Sequence, residues 1–467
     1  MRWHDALNPV GMQRVALLAP VDQLRDLLVT VADQGCVELD ELGDRSLGAT
    51  KESGAAAALR RLGRSGQVTP LLGRRPDLPA WEQGGRADLL AGETELDARA
   101  ADAVTRGRVA ALAGWAPADA VQRLAPALAA VDASVLVLPA PRGVDPPTLL
   151  SERGPGRDFA GLVRTYATVP YRDVDPSLLA GIAYVVMFGM MFADAGHGAL
   201  LLLAALAVRS RRWQRLERLA PYWRFLAGAG LASTVFGVLY GEFFGPTGVV
   251  PVIWLSPLEN AVTLLLVAIA VGALLLAGAY ALGSVNRFRE GGWRRAVYAP
   301  SGLAGASLFL GLGMLAGGLY LHLTALTAAG AVVAVAALVV GYVGLLAAAG
   351  GGAAGASQAM VELVDLVVRL GSNLVSFARL AAFGLTHAAL GLVVWQGATA
   401  LAHRGVLGVT AAVLVFVVGN ALTFALEGLV AGIQALRLEY YELFSRIFEG
   451  EGRPFRPWHV PLAPTEA

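Results

Sequence analysis

The chain has 467 residues, 56% of them hydrophobic and only 16% charged, with a mean hydropathy of +0.57, which excludes an ordinary soluble globule and marks a polytopic membrane protein. Its 37 basic and 36 acidic residues nearly cancel, so no nucleic-acid partner is expected and charge carries information through position alone. Cys36 is the single cysteine and has no disulfide partner within the chain, and the opening MRWHDALNPVGMQRVALLAP lacks the apolar core of a signal peptide, so the N-terminal part is expected in the cytoplasm.

Residues 1–175 are mixed in polarity and predict a small cytosolic α/β domain. Arg14 to Leu18 reads as a strand and Val21 to Gln34 as a helix stopped by Gly35, with Cys36 to Leu39 as a second strand. The pattern recurs with a strand at Arg108 to Trp115, a helix at Ala118 to Ala130 and a strand at Ala133 to Leu138. Two small α/β lobes are therefore expected. Between them, about 45 to 105, lies a short, solvated, partly helical connector with helical patches at Ala55 to Leu62 and Arg86 to Thr105.

Residues 176–450 predict a transmembrane domain, and 451–467 a cytosolic tail. The run Leu178 to Val208 exceeds one span of about 20 residues and is broken by the sequence DAGHG from Asp194 to Gly198. Arg153, Arg157, Arg164 and Arg172 precede it, and Arg209, Arg211, Arg212, Arg215 and Arg218 follow it. The positive-inside rule puts both flanks in the cytoplasm, which a hairpin turning at Asp194 satisfies and a single span does not. Further spans fall near 221–241, 259–283, 299–320 and 326–349. The loop 241–257, with Glu242 and no basic residue, is expected outside; Arg287, Arg289, Arg294 and Arg295 mark a cytoplasmic loop, as does the Gly/Ala stretch 350–357. Two long helices, about 360–398 and 406–447, finish the chain. The expected fold is thus a mostly α polytopic membrane protein of about eight transmembrane helices, the last two long and tilted, with both termini cytoplasmic.

Ionisable residues are absent from the middle of most spans but gather in the last two. Arg379 has roughly 19 residues of helix on either side, about 25 Å or more from each end, too far to snorkel to the headgroups. An arginine at that depth costs at least roughly 2.5–3.5 kcal/mol on insertion scales and needs a carboxylate or a wet cavity. Asp365 and Glu427 are the candidate internal partners. Arg437 either snorkels to the interface or joins the same network. Asp365 stands about four turns before Arg379 on the same face, about 21 Å along the axis, with Ser372 and Ser376 between them; these serines suit a polar ion path or simply pack and bond their own backbone. His387 lies about 12 Å beyond Arg379, and Glu427 sits nearly two turns from Gln434 on the antiparallel neighbour. Two polar tracks result, one to each surface. A fixed cation at Arg379 favours the ionised form of a carboxylate passing it on another subunit, and an arginine does not itself release a proton, so it blocks a leak between the tracks.

At this point the motifs point to a family. MFGMMFADAGHG at 187–198, GVLYGEFFG at 237–245, SFARLAAFGLTHAAL at 376–390 and LEGLVAGIQALRLEYYELFSRIFEGEGRPFRP at 426–457 resemble segments of subunit a, or subunit I, of V-type and archaeal-type (V/A) ATPases. The opening MQRVALLAP, followed by a helix and GCVELD, is similar to that family's start. The resemblance implies that Arg379 is the essential arginine facing a rotor carboxylate and Arg437 the second arginine on the last helix. It places Asp365 in the cytoplasmic half-channel and His387 and Glu427 in the outer one, with Gln434 where relatives carry His or Gln, and it makes Asp194 and His197 a turn motif. It implies a stator coupling proton or Na⁺ translocation to ATP hydrolysis or synthesis. The implied partners are a ring of proteolipid c/K subunits with a mid-membrane carboxylate, peripheral stalk subunits, a central stalk d/C-type subunit and membrane lipid. No cofactor and no metal is expected. Ala193 stands where the family usually has Gly, and the N-terminal domain is short where the family carries a long coiled-coil arm between its lobes.

No GxxxxGK[ST] phosphate loop is present, so the chain alone is not expected to hydrolyse ATP. A stand-alone transporter or channel with an intramembrane charge network remains the competing reading from the residues, although the apolar half shows no internal repeat. A membrane assembly scaffold is the third.

Overall fold

The structure, a computed structural model, describes residues 8–40, 53–63, 71, 73, 76–141, 143–150, 156–210, 220 and 222–460. Arg153, Arg211, Arg212, Arg215 and Arg218, which carry part of the topology reading, lie outside the described residues, as does part of the 45–105 connector. The chain divides into two compact units, one of residues 9–150 with 452–467, the other of 1–8 with 151–451. The division therefore falls near 150 rather than 175, and the tail belongs with the N-terminal unit.

The first unit runs β1 (Met12–Pro20), α1 (Leu24–Gln34), β2 (Glu38–Leu39), α2 (Gly54–Arg61), α3 (Leu78–Gln83), α4 (Ala87–Ala101), β3 (Val104–Arg106), β4 (Val109–Pro117), α5 (Ala118–Ala129) and β5 (Ser134–Leu138). Both strand–helix–strand patterns feed one five-stranded sheet, in place of the two lobes expected. β1 pairs antiparallel with β4 from Met12↔Pro117 to Pro20↔Val109 and with β5 on its other edge, and this pairing satisfies backbone groups that separate lobes would leave at open edges. Alternate residues of β1, Val15, Leu17 and Ala19, are buried, as the two-residue period of a strand requires. They meet Leu27, Leu28 and Val31 of α1 and Leu124 and Leu128 of α5. Trp458 and Val460 of the tail complete this core, with Trp458 N–H donating to Val37 O (2.9 Å) and Val460 N–H to Ala32 O (3.2 Å). The described part of the connector is packed: Ala58, Trp81, Leu89 and Leu90 of α2, α3 and α4 form a core of their own.

The second unit is helical: α6 (Ala160–Tyr166), α7 (Ser177–Met191), α8 (Ala195–Arg209), α9 (Trp223–Tyr240), α10 (Ala261–Tyr298), α11 (Leu303–Tyr320), α12 (Thr324–Ala348), α13 (Gly352–Ser376), α14 (Ala378–Ala402), α15 (Gly405–Leu438), a π-type turn Glu439–Phe444 and α16 (Ser445–Ile447). Among the described residues five stretches are long and apolar enough to cross a membrane: α10, α11, α12, the nearly continuous Gly352–Ala402 and Gly405–Ile447; α7 and α8 are shorter apolar helices. The protein is a multi-span membrane protein.

Glycine contacts give the helix directions. Gly189 of α7 backs onto Ala232 of α9 and Gly228 of α9 onto Val185 of α7, so these two helices run parallel. Gly198 of α8 backs onto Thr234 and Gly230 onto Leu202, so α8 runs antiparallel to α9. The chain therefore reverses between Phe192 and Asp194, as a hairpin turning at Asp194 requires, and Arg209 at the end of α8 comes to lie over the Trp223 ring that starts α9 (4.7 Å). The same reasoning makes α11 and α12 antiparallel through Gly311 with Ala334 and Gly318 with Thr327.

The basic stretch expected as a loop is helical. α10 continues through Arg287 and Arg289, deviates only at Gly291 and Gly292, where Gly292 takes φ 67°, and resumes to Tyr298. A left-handed glycine inside the helix supplies the bend without a loop.

Candidate functional site

The helix carrying Arg379 is tightened one residue before the middle of its motif. Phe377 N–H donates to Leu374 O (3.2 Å) and Leu380 N–H to Phe377 O (2.9 Å), a 3₁₀-type turn that separates α13 from α14. Phe377 is fully buried against Gly272 of α10. The ring locks the junction, and Arg379 follows it, half-buried. Among the described residues Arg379 makes no ion pair and no hydrogen bond. Its two candidate partners are taken: Asp365, exposed, pairs with Arg369 one turn on (2.6 Å), and Glu427 pairs with His387 Nδ1. Ser372 is exposed, Ser376 half-buried, and Arg437 is exposed without a partner among the described residues.

α14 and α15 are antiparallel, with His387 against Glu427, Val394 against Gly419 and Trp395 against Phe416. Continuing that register brings Arg379 level with Gln434. Asn420, Glu427 and Gln434 follow one another at intervals close to two turns on α15, and Glu427 Oε1 and Gln434 Oε1 are buried without hydrogen-bond partners.

On the His387 side of Arg379 the structure gathers more polar groups than the last two helices supply. Asp194 caps α8: its Oδ1 accepts from His197 N–H (2.8 Å) and Phe244 N–H (3.1 Å), and its Oδ2 from Gly245 N–H (2.9 Å). The same carboxylate thus holds the α7–α8 turn and the 241–245 loop together. The loop in turn meets α14, where Gly245 backs onto Gly391. His197 is 2% exposed, and its ring lies 5.6 Å from that of His387. The turn residues Asp194 and His197 and the pair His387 and Glu427, which look separate in the sequence, form one cluster, buried except for the half-buried Glu427. Glu242 (5% exposed) and Asn420 (8%) are also buried polar groups. Asn420 shares the face of Glu427 two turns away, a spacing that signals it in the sequence; Glu242 stands alone in its loop, and nothing but its lack of basic neighbours marks it.

At the far end of α10 a second charge, fully buried, meets three acids. Arg287, 1% exposed, reaches Glu449 (2.7 Å), Glu290 (2.8 Å) and Asp173 (3.9 Å); Arg295 reaches Glu290 (3.1 Å) and Glu449 (3.6 Å). Asn286 ties the same knot, accepting from Val174 N–H (3.0 Å) and donating to Ile447 O (3.3 Å). Burial, reinforced by the negative charge of Glu290, pushes the Asp173 carboxyl up to about 7. Nearby, with its amide turned to satisfy both neighbours, Asn373 donates to Glu442 Oε2 (3.0 Å) and accepts from Arg446 Nη2 (2.8 Å), tying α13 to the segment that follows α15.

Residues 100–249 and 358–460 match the model of the V-type ATPase 116kDa subunit family. These ranges contain the Asp194 turn, the 241–245 loop and the whole of the Arg379, His387 and Glu427 constellation. The chain is 27% identical to the A-type ATP synthase subunit I of Archaeoglobus fulgidus over 74% of its own length and 58% of that protein. It is 28% identical to the protein of that name from Aeropyrum pernix, over 69% and 52% of the two chains. With the Halobacterium salinarum subunit I it shares 30% identity over 67% of its length and 51% of that relative. The chain thus spans about half the length of the curated relatives it matches.

Proposed function

Since the chain belongs to the V-type ATPase 116kDa subunit family, we propose that it is the membrane stator of a rotary V/A-type ATPase, carrying protons or Na⁺ past a ring of proteolipid subunits. The observation that carries this reading is Arg379, held at a locked helix junction, half-buried and without a partner among the described residues. The acids that would neutralise it from within the chain are occupied by Arg369 and His387. A guanidinium left in that state at mid-depth is stabilised only by a carboxylate from outside the chain or by water.

The chemistry follows from charge. A rotor carboxylate that has carried an ion around reaches Arg379 and is favoured in its ionised form, so it releases its ion. Arg379 holds its own protons at any physiological pH and gives no bridge between the two sides. On one side the ion leaves or enters through the cluster of His387, Glu427, Asp194 and His197, assigned here to the outer half-channel, with Asn420 and Gln434 continuing the line along α15. On the other, Asp365, Ser372 and Ser376 form the more open inner half-channel, and Arg437 supports Arg379 from α15. Eight membrane crossings with both termini cytoplasmic accompany this reading; the reversals between α7 and α8, α8 and α9, α11 and α12, and α14 and α15 support it. The proteolipid ring, the peripheral stalk, the central stalk d/C-type subunit and surrounding lipid are its partners.

In the purified complex reconstituted into vesicles, Arg379→Ala abolishes ATP-driven ion uptake while the complex elutes at its normal size. Uptake retained by the variant would overturn the mechanism. If a mild-detergent preparation of the chain brings no small helical membrane protein with a mid-span carboxylate, the partner assignment fails with it.

A further inference from the structure

We propose that Asp194, His197 and His387 form a binding site for one zinc-class divalent cation. Each of the three offers a ligand atom, all of these atoms lie within 4.8 Å of one another, and all three residues are buried. Around a tetrahedral zinc with bonds of about 2.0–2.1 Å, ligand atoms stand roughly 3.3 Å apart. Closure by at most about 1.5 Å therefore brings the three ligand atoms to that spacing.

Independent of that spacing, His197 is in need of a partner. Its ring is 2% exposed and neither nitrogen makes a hydrogen bond, the Asp194 Oδ1 atom standing 3.8 Å from Nδ1. The rings of Phe192, Phe244 and Phe424 around it, at 5.7, 5.3 and 5.7 Å, bring no acceptor or donor. An unsatisfied buried polar group costs roughly 1–3 kcal/mol, and coordination of a cation removes that cost. The other two groups are already oriented as ligands. Three backbone N–H groups fix the Asp194 carboxylate. Glu427 engages Nδ1 of His387 and leaves Nε2 as the nitrogen free of a carboxylate, the arrangement that fixes the tautomer and raises the basicity of metal-bound histidines.

Two imidazoles and one carboxylate select a borderline-soft transition ion over Mg²⁺ or Ca²⁺, which take oxygen ligands. Asp194 and the adjoining Glu427 together balance a double positive charge, which removes most of the penalty for placing it in an apolar surrounding. A cavity of about 420 Å³ lined by His197, Leu200, Phe244, Phe416, Asn420 and Phe424 borders the His197 ring and gives access. The ligands come from the first turn of α8 and from α14, so a bound ion staples two helices that are distant in sequence.

The full chain, purified in detergent and stripped with a chelator, is titrated with Co²⁺, whose visible absorption reports four-coordinate nitrogen and oxygen ligation. One equivalent binds and is displaced by Zn²⁺, and Zn²⁺ but not Mg²⁺ raises the midpoint of thermal unfolding, because the ion binds only the folded chain. His197→Gln and His387→Gln each weaken binding at least tenfold, whereas His403→Gln and His459→Gln leave it unchanged. If either of the first pair does not fold, X-ray absorption at the zinc edge of the loaded wild-type chain reads the same contacts, with two imidazole nitrogens and one carboxylate oxygen around the ion. No Co²⁺ band in the wild-type chain, a band that survives both substitutions, or a shell without two imidazoles would each overturn the site. Binding is measured without a rotor, so its failure leaves the stator reading standing, and failure of that reading leaves the site.

Discussion

Arg287 and Arg379 both sit on long apolar helices, and the fold deals with them in opposite ways. Around Arg287 the chain brings acids from three separate segments, Asp173 before α7, Glu290 on α10 and Glu449 after α16. Around Arg379 it brings a locked helix junction and, among the described residues, no acid within ion-pair reach. A buried guanidinium with its counterions in place is part of the scaffold, and its removal strands several carboxylates. One without them is costly to keep, and the chain gains nothing from it until a charge arrives from elsewhere. Burial alone would rank Arg287 as the functional residue; the pattern of partners reverses that ranking.

Stability measurements break this contrast most directly. Arg287→Ala takes the buried cation from Asp173, Glu290 and Glu449, the last two keeping only the half-exposed Arg295, and costs about 3–5 kcal/mol, visible as a large fall in thermal midpoint and in the yield of folded protein. Arg379→Ala leaves the midpoint unchanged or raises it, since no internal partner is stranded. Equal losses in the two variants would erase the distinction.

Asp194 tests the intermediate case, an acid compensated by backbone donors instead of a cation. Asp194→Ala removes the acceptor for three N–H groups of the α8 start and the 241–245 loop and costs about 2–3 kcal/mol, with proteolytic sensitivity appearing in that loop. A variant as resistant as wild type would show that other contacts hold the loop.

The smallest effect is a slope against pH. The folded Asp173 carboxyl titrates at about 7, above its ordinary 3.8, so between roughly pH 4 and 7 the folded chain holds a proton that the unfolded chain has released. Stability from this group is therefore lost as pH rises through that window and levels off above it. Asp173→Asn has no such proton to lose, so its stability gains on wild type as pH rises through that window. A difference between the two that stays constant from pH 4 to 8 would show that Arg287 neutralises all three acids at once.

The sequence makes some of this legible and hides the rest for identifiable reasons. Helical spacing brings out Arg379 as a mid-helix charge in need of a partner and sets His387 and Glu427 apart from the apolar spans, because the period within one helix is a local property; that Asp365 and Glu427 pair elsewhere is seen only in the structure. The reversal at Asp194 follows from arginines on both flanks, and the structure contains it. That Asp194 and His197 lie beside His387 depends on α7 crossing α14, where Gly384 backs onto Met190 O, and no periodicity within either helix encodes which partner it meets. Arg287 looks like a loop residue because four arginines close together outweigh the helical signal on both sides of Gly291 and Gly292. The two strand–helix–strand patterns are visible, but their union in one sheet rests on β1 and β4, about 90 residues apart, pairing at its centre.

The tail has a temporal meaning. Residues 9–150 leave the ribosome before any apolar helix of 177–447 is made, yet Trp458 and Val460 belong to the hydrophobic core of the sheet those residues form. The α/β unit accordingly waits, lacking one wall, until synthesis of the intramembrane part is finished. A chain arrested or clipped before Trp458 displays the open side of that core to proteases and chaperones, so the first unit to be translated is also the one that certifies that the last has arrived.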